Sequence, residues 1–157
     1  MLLPFSATSH IGPFTNLATA KPGAVEPTVA VNPANVPVVT AALGRHGSAA
    51  NEGLVNIATY PLPVVAGLPP GVENISAAAA RDKVSRIGAA AVDEALTRPA
   101  QEALVREMSP DAVVTDVHFF WIGAVAAELA RRAVPVRHVQ CYRPAPSRRS
   151  PCPCVTS

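Results

Sequence analysis

The 157-residue chain is 49% hydrophobic with a formal net charge of only +2, which fits one domain able to bury roughly 70% of its unfolded surface. That small charge, with no lengthwise Lys/Arg stripe interleaved with aromatics, excludes the electrostatic footprint of a nucleic-acid binder, and no run of about 18 apolar residues offers a membrane helix. Aromatics make up 4% and prolines number 17, so the core has to be built mainly from Ala, Val and Leu.

The positive excess is local. Arg131, Arg132, Arg137, Arg143, Arg148 and Arg149 supply six of the 13 basic residues within the last 27 positions. The first basic residue is Lys21 and the opening apolar run breaks at Pro4, so no secretory signal is read and a cytoplasmic protein is expected. Cys141, Cys152 and Cys154 are odd in number and confined to the end, which suits reduced thiols better than a disulfide framework.

In chain order, Met1–Phe14 (MLLPFSATSHIGPF) predicts a short strand at Leu2–Phe5, a loop of small polar residues carrying His10, and a turn at Gly12-Pro13 into a helix. That helix, Phe14–Ala20, is cut by Lys21-Pro22-Gly23 after about two turns, because Pro lacks a donor and Gly favours a stop. Thr28–Val31 reads as a strand. Val36–Arg45 reads as a helix capped by Asn35 or Asn32, and Leu54–Tyr60 as a third strand. This βαβαβ order predicts a parallel sheet.

Pro61, Pro63, Pro69 and Pro70, with Gly67 and Gly71, make 61–74 a long loop, a length usually functional or structureless. Helices are predicted at Ser76–Leu96 and Arg98–Met108, with Thr97 as cap and Pro99 in the first turn of the second. Their apolar stripes are Ile87, Ala91, Ala95 and Ala100, Leu104, Met108. Asp93, Glu94, Glu102 and Glu107 among Arg86, Arg98 and Arg106 read as a solvated face. Ala112–Thr115 is a buried strand ending at Asp116, Phe119-Phe120-Trp121 lead into a helix Ile122–Arg132, and a last strand is placed at Val134–Val139. From Arg143 the chain is rich in Pro, Ser and Arg and is expected to be disordered, which gives a domain at 1–142 and a tail at 143–157.

The opening pattern of strand, small residues, His10, Gly12-Pro13 and helix resembles the start of the plant UDP-sugar glycosyltransferases that modify small molecules. The segments LPPGVEN at 68–74 and SPDAVVTDVHFFW at 109–121 are similar to that family in the same order. The resemblance covers roughly residues 1–139 and implies the amino-terminal half of a GT-B glycosyltransferase, a Rossmann-like parallel sheet flanked by helices. Ser9 departs from the pattern, since many relatives have Gly before the His. The family's longer first helix also implies that residues are missing after Ala20.

His10 and Asp116 both fall just past the carboxyl ends of predicted strands, the edge where loops from separate strands converge. Read without the family, a loop His is most often solvated or structural and an Asp after a strand is often a helix cap. The resemblance makes His10 the general base and Asp116 its partner, in a transfer of sugar from a UDP-sugar to an acceptor hydroxyl with inversion. It also places loop 61–74 near the acceptor pocket, with Gly12, Phe119 and Phe120 as acceptor-binding candidates of a flavonoid-like substrate; for the two aromatics the bland reading is core.

The family's donor signature, Trp-x-Pro-Gln followed by His-Cys-Gly-Trp-Asn-Ser, is absent: Trp121 is the single tryptophan and no His precedes Cys-Gly. A base without a bound donor lacks its electrophile, so this chain is expected to bind no cofactor itself and to be inactive alone. A shifted reading frame or aberrant splice end is the expected origin of the divergent tail. The rival reading is a non-catalytic half-domain that binds a small aromatic molecule, or self-associates through an uncovered apolar face. His118 follows Asp116 by two, yet two ligands without a third make no zinc site, so no metal is expected. His46 reads as a helix-end residue, Cys152-Pro-Cys154 as a weak chelator, and Gly12 as a single glycine rather than a phosphate loop.

Overall fold

The computed structural model of the chain describes residues 1–20, 25–45, 54–78, 81–131, 137–141 and 155–156. Its strands are β1 (Leu2–Leu3), β2 (Thr28–Val31), β3 (Asn56–Thr59), β4 (Ala112–Asp116), β5 (Arg137–Cys141) and β6 (Val155–Thr156). The helices are α1 (Thr8–Thr19), α2 (Val36–Gly44), α3 (Arg81–Val92), α4 (Glu94–Met108) and α5 (Ile122–Arg131). The sheet runs β3-β2-β1-β4-β5-β6, parallel throughout except for β6, which pairs antiparallel with β5. The parallel sheet is the one expected from the alternation of strands and helices, and its Rossmann-like arrangement is the one the family resemblance implies. The chain goes to one side of β1 for β2 and β3, then returns to the other side for β4 and β5.

The two-residue period of the strands sorts the core into two layers. Leu3, Ala30 and Val113 face α3, α4 and α5, where Ala91, Val105, Trp121, Ile122 and Val125 meet them. Leu2, Val29 and Val31 face α1 and α2, against Ile11, Phe14, Ala18 and Val39. As the composition demanded, aliphatic side chains dominate both layers. No helix among the described residues is long and apolar enough to cross a membrane.

Several boundaries differ from the sequence reading. Helix α1 starts at Thr8 and spans 12 residues, so His10 sits in its first turn rather than in a loop, and Gly12 and Pro13 lie inside it. The reason is tertiary: the Thr8 N–H, which has no partner within the helix, donates to Ser76 Oγ at 3.0 Å. Burial of Ile11, Phe14, Thr15 and Ala18 outweighs the local preference of Gly and Pro for a stop. The residues after Ala20 that the resemblance suggested were shortened lie partly outside the described residues.

Neither Asn32 nor Asn35 caps α2 with its side chain; both amides are engaged elsewhere. The break between α3 and α4 falls at Asp93, not Thr97, because the Asp93 carboxylate accepts the Leu96 N–H at 3.1 Å, a stronger stop than Pro99, which the helix absorbs. Thr97 instead faces inward, its hydroxyl donating to Ala90 O at 2.7 Å. The buried stripe of α4 is therefore Thr97, Gln101 and Val105, one position on from the apolar one, while Ala95 and Met108 are exposed. Arg98 pairs with Glu94 and Glu102, and Arg106 with Glu102 and Glu128, the solvated face expected. Strand β5 is set three residues later than the apolar run, in register from Ala112↔Arg137 to Asp116↔Cys141. Of the expected disordered tail, only Val155–Thr156 is described, as β6; the remainder, with Cys152 and Cys154, lies outside the described residues, as does His46.

Candidate active site

The carboxyl edge of the sheet gathers one polar residue from each of four strands: Ser6 after β1, Asn32 after β2, Tyr60 after β3 and Asp116 at the end of β4. Ser6 Oγ donates to Asn32 Oδ1 at 2.6 Å and Asn32 Nδ2 donates to the Tyr60 carbonyl at 3.1 Å. These bonds lock the loops after β1, β2 and β3 together. A buried carboxamide chain continues outward, Asn74 Nδ2 to Asn35 Oδ1 at 2.5 Å and Asn35 Nδ2 to the Glu73 carbonyl at 3.2 Å. Loop 61–74 is thereby fastened beside the edge. Its last residue, Asn74, accepts the Ser76 and Ala77 N–H groups, and Ile75 N–H donates to the Ser6 carbonyl. The sequence pattern offers Asn32 and Asn35 only as helix caps and gives Asn74 no role; Asn32 alone carries a positional signal, directly after β2.

Strand order reverses between β1 and β4, the place where open α/β sheets hold ligands. Here the structure brings together the two residues singled out from sequence. His10 Nδ1 lies 2.6 Å from Asp116 Oδ2 across 106 positions of chain. Asp116 is 5% exposed at its side chain and His10 37%, so the carboxylate is held beneath an imidazole that faces solvent. With Nδ1–H donating to the carboxylate, Nε2 is left as an acceptor, the tautomer a general base requires.

The site holds a third member. His118 Nδ1 lies 2.5 Å from the other carboxylate oxygen, Oδ1, and its backbone N–H donates to the same oxygen at 3.3 Å. Phe5 stacks on the His118 ring at 4.3 Å between centroids and meets His10 edge-on at 5.5 Å. Both imidazoles are thus oriented by one aromatic wall and one carboxylate. The sequence sets His118 two residues from Asp116, and the fold brings His10 to the same carboxylate.

The acceptor-binding candidates separate. Phe120 is 61% exposed, whereas Phe119 is fully buried, packed 5.6 Å from Trp121, so Phe119 is core and presents no face to a ligand. A side chain at Gly12 would meet open space, and two residues on from His10 in the same helix it points to a different side. Behind the site, Gln101 is wholly buried: its Nε2 donates to Tyr60 Oη at 3.2 Å and its Oε1 accepts from Trp121 Nε1 at 2.8 Å. Burial pushes the Tyr60 phenol up to about 12, the Gln101 bond pulls the other way, and the negative charges of Asp116 and Glu73 add to the rise. A cavity of about 800 Å³ opens at the opposite, amino-terminal edge, beside Leu2, Thr28 and Ala112, and contains none of these residues.

No protein-family model matches the chain. Over 106 residues it is 32% identical to UDP-glucosyl transferase 73DL1 of Saponaria officinalis, a match covering 67% of this chain and 21% of that protein. Over 135 residues it is 29% identical to UDP-glycosyltransferase 79A2 of Stevia rebaudiana, covering 85% and 28%. Among solved structures, Glycyrrhiza uralensis UGT73P12, complexed with glycyrrhetinic acid 3-O-monoglucuronide, superposes with a TM-score of 0.70 at 25% identity, over 92% of this chain and 28% of that one. Arabidopsis thaliana UGT89C1 complexed with quercetin shares the fold at a TM-score of 0.53 and 18% identity, over 87% of this chain and 32% of that one. The chain thus spans between about a fifth and a third of the proteins it matches. By sequence and by fold it is a relative of the plant UDP-glycosyltransferases, corresponding to a fragment of them.

Proposed function

We propose that this chain forms the acceptor-side, amino-terminal part of a UDP-glycosyltransferase, with His10 as the general base. The observation that carries the reading is the His10–Asp116 pair, 2.6 Å apart at the strand-order reversal. An acceptor hydroxyl against Nε2 of the part-exposed His10 ring gives up its proton as its oxygen attacks the anomeric carbon of the sugar, and the nucleoside diphosphate departs. Asp116 holds the imidazole in the productive tautomer and stabilises the imidazolium that forms. Phe120, 61% exposed, offers an apolar surface for a hydroxylated acceptor. The glycyrrhetinic acid glucuronide and quercetin named for two structural neighbours support a small-molecule acceptor of that kind.

Donor binding has no counterpart among these 157 residues, so the chain taken alone binds acceptor without transferring sugar. Calorimetric titration with quercetin tests this directly. The reading expects saturable binding that weakens in Phe120→Ala and no consumption of UDP-glucose. Turnover by the purified chain would refute the expected inactivity, and absence of any acceptor binding would refute the acceptor-side role.

The exposed pair Val117 and Phe120, 39% and 61% accessible, also favours a second reading, in which this face docks against protein. Sedimentation at rising concentration separates the two, since self-association without ligand affinity supports only the docking role.

A further inference from the structure

We infer that His10, Asp116 and His118 form a binding site for a divalent transition metal such as Zn²⁺, and that metal and general-base function compete for His10. One ligand atom from each residue lies within 4.8 Å of the other two, and this is the one such group of three among the described residues. The metal site rests on the geometry of this cluster; only the competition for His10 rests on the proposed glycosyl-transfer reading.

The donor set has the right chemistry. Two imidazole nitrogens and one carboxylate oxygen suit zinc and its neighbours, whereas calcium and magnesium demand oxygen ligands. Three protein ligands with open positions left for solvent is a recurrent zinc arrangement. The nitrogens now sit 2.6 and 2.5 Å from the carboxylate oxygens, while ligands of a tetrahedral ion at about 2.0–2.1 Å lie roughly 3.3 Å apart. Those two contacts run to different oxygens of Asp116, and the three ligand atoms lie within 4.8 Å of one another, so shifts of up to about 1.5 Å bring them to the spacing a tetrahedral ion needs. Both imidazoles are about one-third exposed, at 37% and 36%, so an ion can reach them. Phe5 holds both rings in place, the kind of packing that keeps ligand rings oriented.

The proton count settles the consequence. A carboxylate only accepts, so each neutral imidazole facing an ionised Asp116 through Nδ1 has its proton on that nitrogen. When the metal takes Nδ1, the proton moves to Nε2 through solvent and none is lost overall. His10 Nε2 then becomes a donor and can no longer accept a proton from an acceptor hydroxyl. Metal occupancy is thus an off state for the base.

The test is titration of the whole 157-residue chain with Zn²⁺ against a chromophoric chelator, in a Cys141→Ser, Cys152→Ser, Cys154→Ser background that removes the thiols. The expected result is saturable one-to-one binding, weakened at least tenfold in His118→Phe, which keeps the ring stacked on Phe5, and likewise in His10→Asn. Should His10→Asn fail to fold, histidine resonances of the parent chain provide the second readout: Zn²⁺ has to shift both His10 and His118 together. Absence of saturable binding, binding unchanged by His118→Phe, or shifts confined to other histidines would each overturn the inference.

Discussion

Gln101→Met tests the buried polar bridge that supports the site from behind. Methionine fills nearly the same volume but withdraws one donor and one acceptor from a fully buried position. It leaves Tyr60 Oη and Trp121 Nε1–H without their partner, in residues 3% and 2% exposed. Each stranded group costs about 1–3 kcal/mol, so the substitution should cost about 2–6 kcal/mol, a large share of the ~5–15 kcal/mol typical of a domain. At this chain length a thermal melt should shift down by roughly 5–20 °C. Tyr60→Phe provides the internal check: it should cost about 1 kcal/mol in the parent, yet be neutral or stabilising beside Gln101→Met, because it deletes the stranded hydroxyl. A Gln101→Met melt within about 1 °C of the parent, or strict additivity of the pair, would refute the bridge.

Other consequences follow from the same contacts. Because burial lifts the Tyr60 phenol from 10.0 to about 12, the folded state holds its proton longer than the unfolded chain. Its contribution to stability is complete below pH 10 and should be lost as pH climbs toward 12, read as a falling melting temperature that Tyr60→Phe flattens. Glu102 behaves oppositely: hydrogen bonds from Arg106 and then Arg98 hold its carboxyl below the usual range. Its contribution is therefore present at neutral pH and lost on acidification, and since the pairs are partly exposed, Glu102→Gln should cost under about 1 kcal/mol and less still in high salt. Ser109 ends α4 in the left-handed region at φ 41°, so Ser109→Val should melt lower than Ser109→Gly by about 1–2 kcal/mol in equivalent stability. Asp116→Asn should keep the fold while weakening the hold on both imidazoles, seen as broadened ring resonances for His10 and His118.

The strands were legible because each depends on local signals, β-branched runs such as TVAV and AVVT, and Asp116 was placed because it directly follows one of them; the pairing of His10 with Asp116 came from the resemblance to a family, not from local pattern. What escaped depends on partners far along the chain. The start of α1 is set by Ser76, 68 positions from Thr8, so Gly12-Pro13 misled as a turn. Gln101 reads as surface in any hydropathy pattern, and its burial makes sense only once Tyr60 and Trp121 are placed across from it. His118 was visible two residues from Asp116, but its meaning waited on the fold to deliver His10. Phe119 and Phe120 are adjacent and chemically identical; only the turn after β4 decides that one is core and the other faces solvent.

Long-range proton–nitrogen correlation spectra of the histidine rings reach the central claim most directly, since they report which ring nitrogen carries the proton. The account predicts that neutral His10 is protonated on Nδ1, facing Asp116, and that Asp116→Ala abolishes this preference. A His10 that carries its proton on Nε2, with or without Asp116, would show that the pair does not hold a base ready for an acceptor.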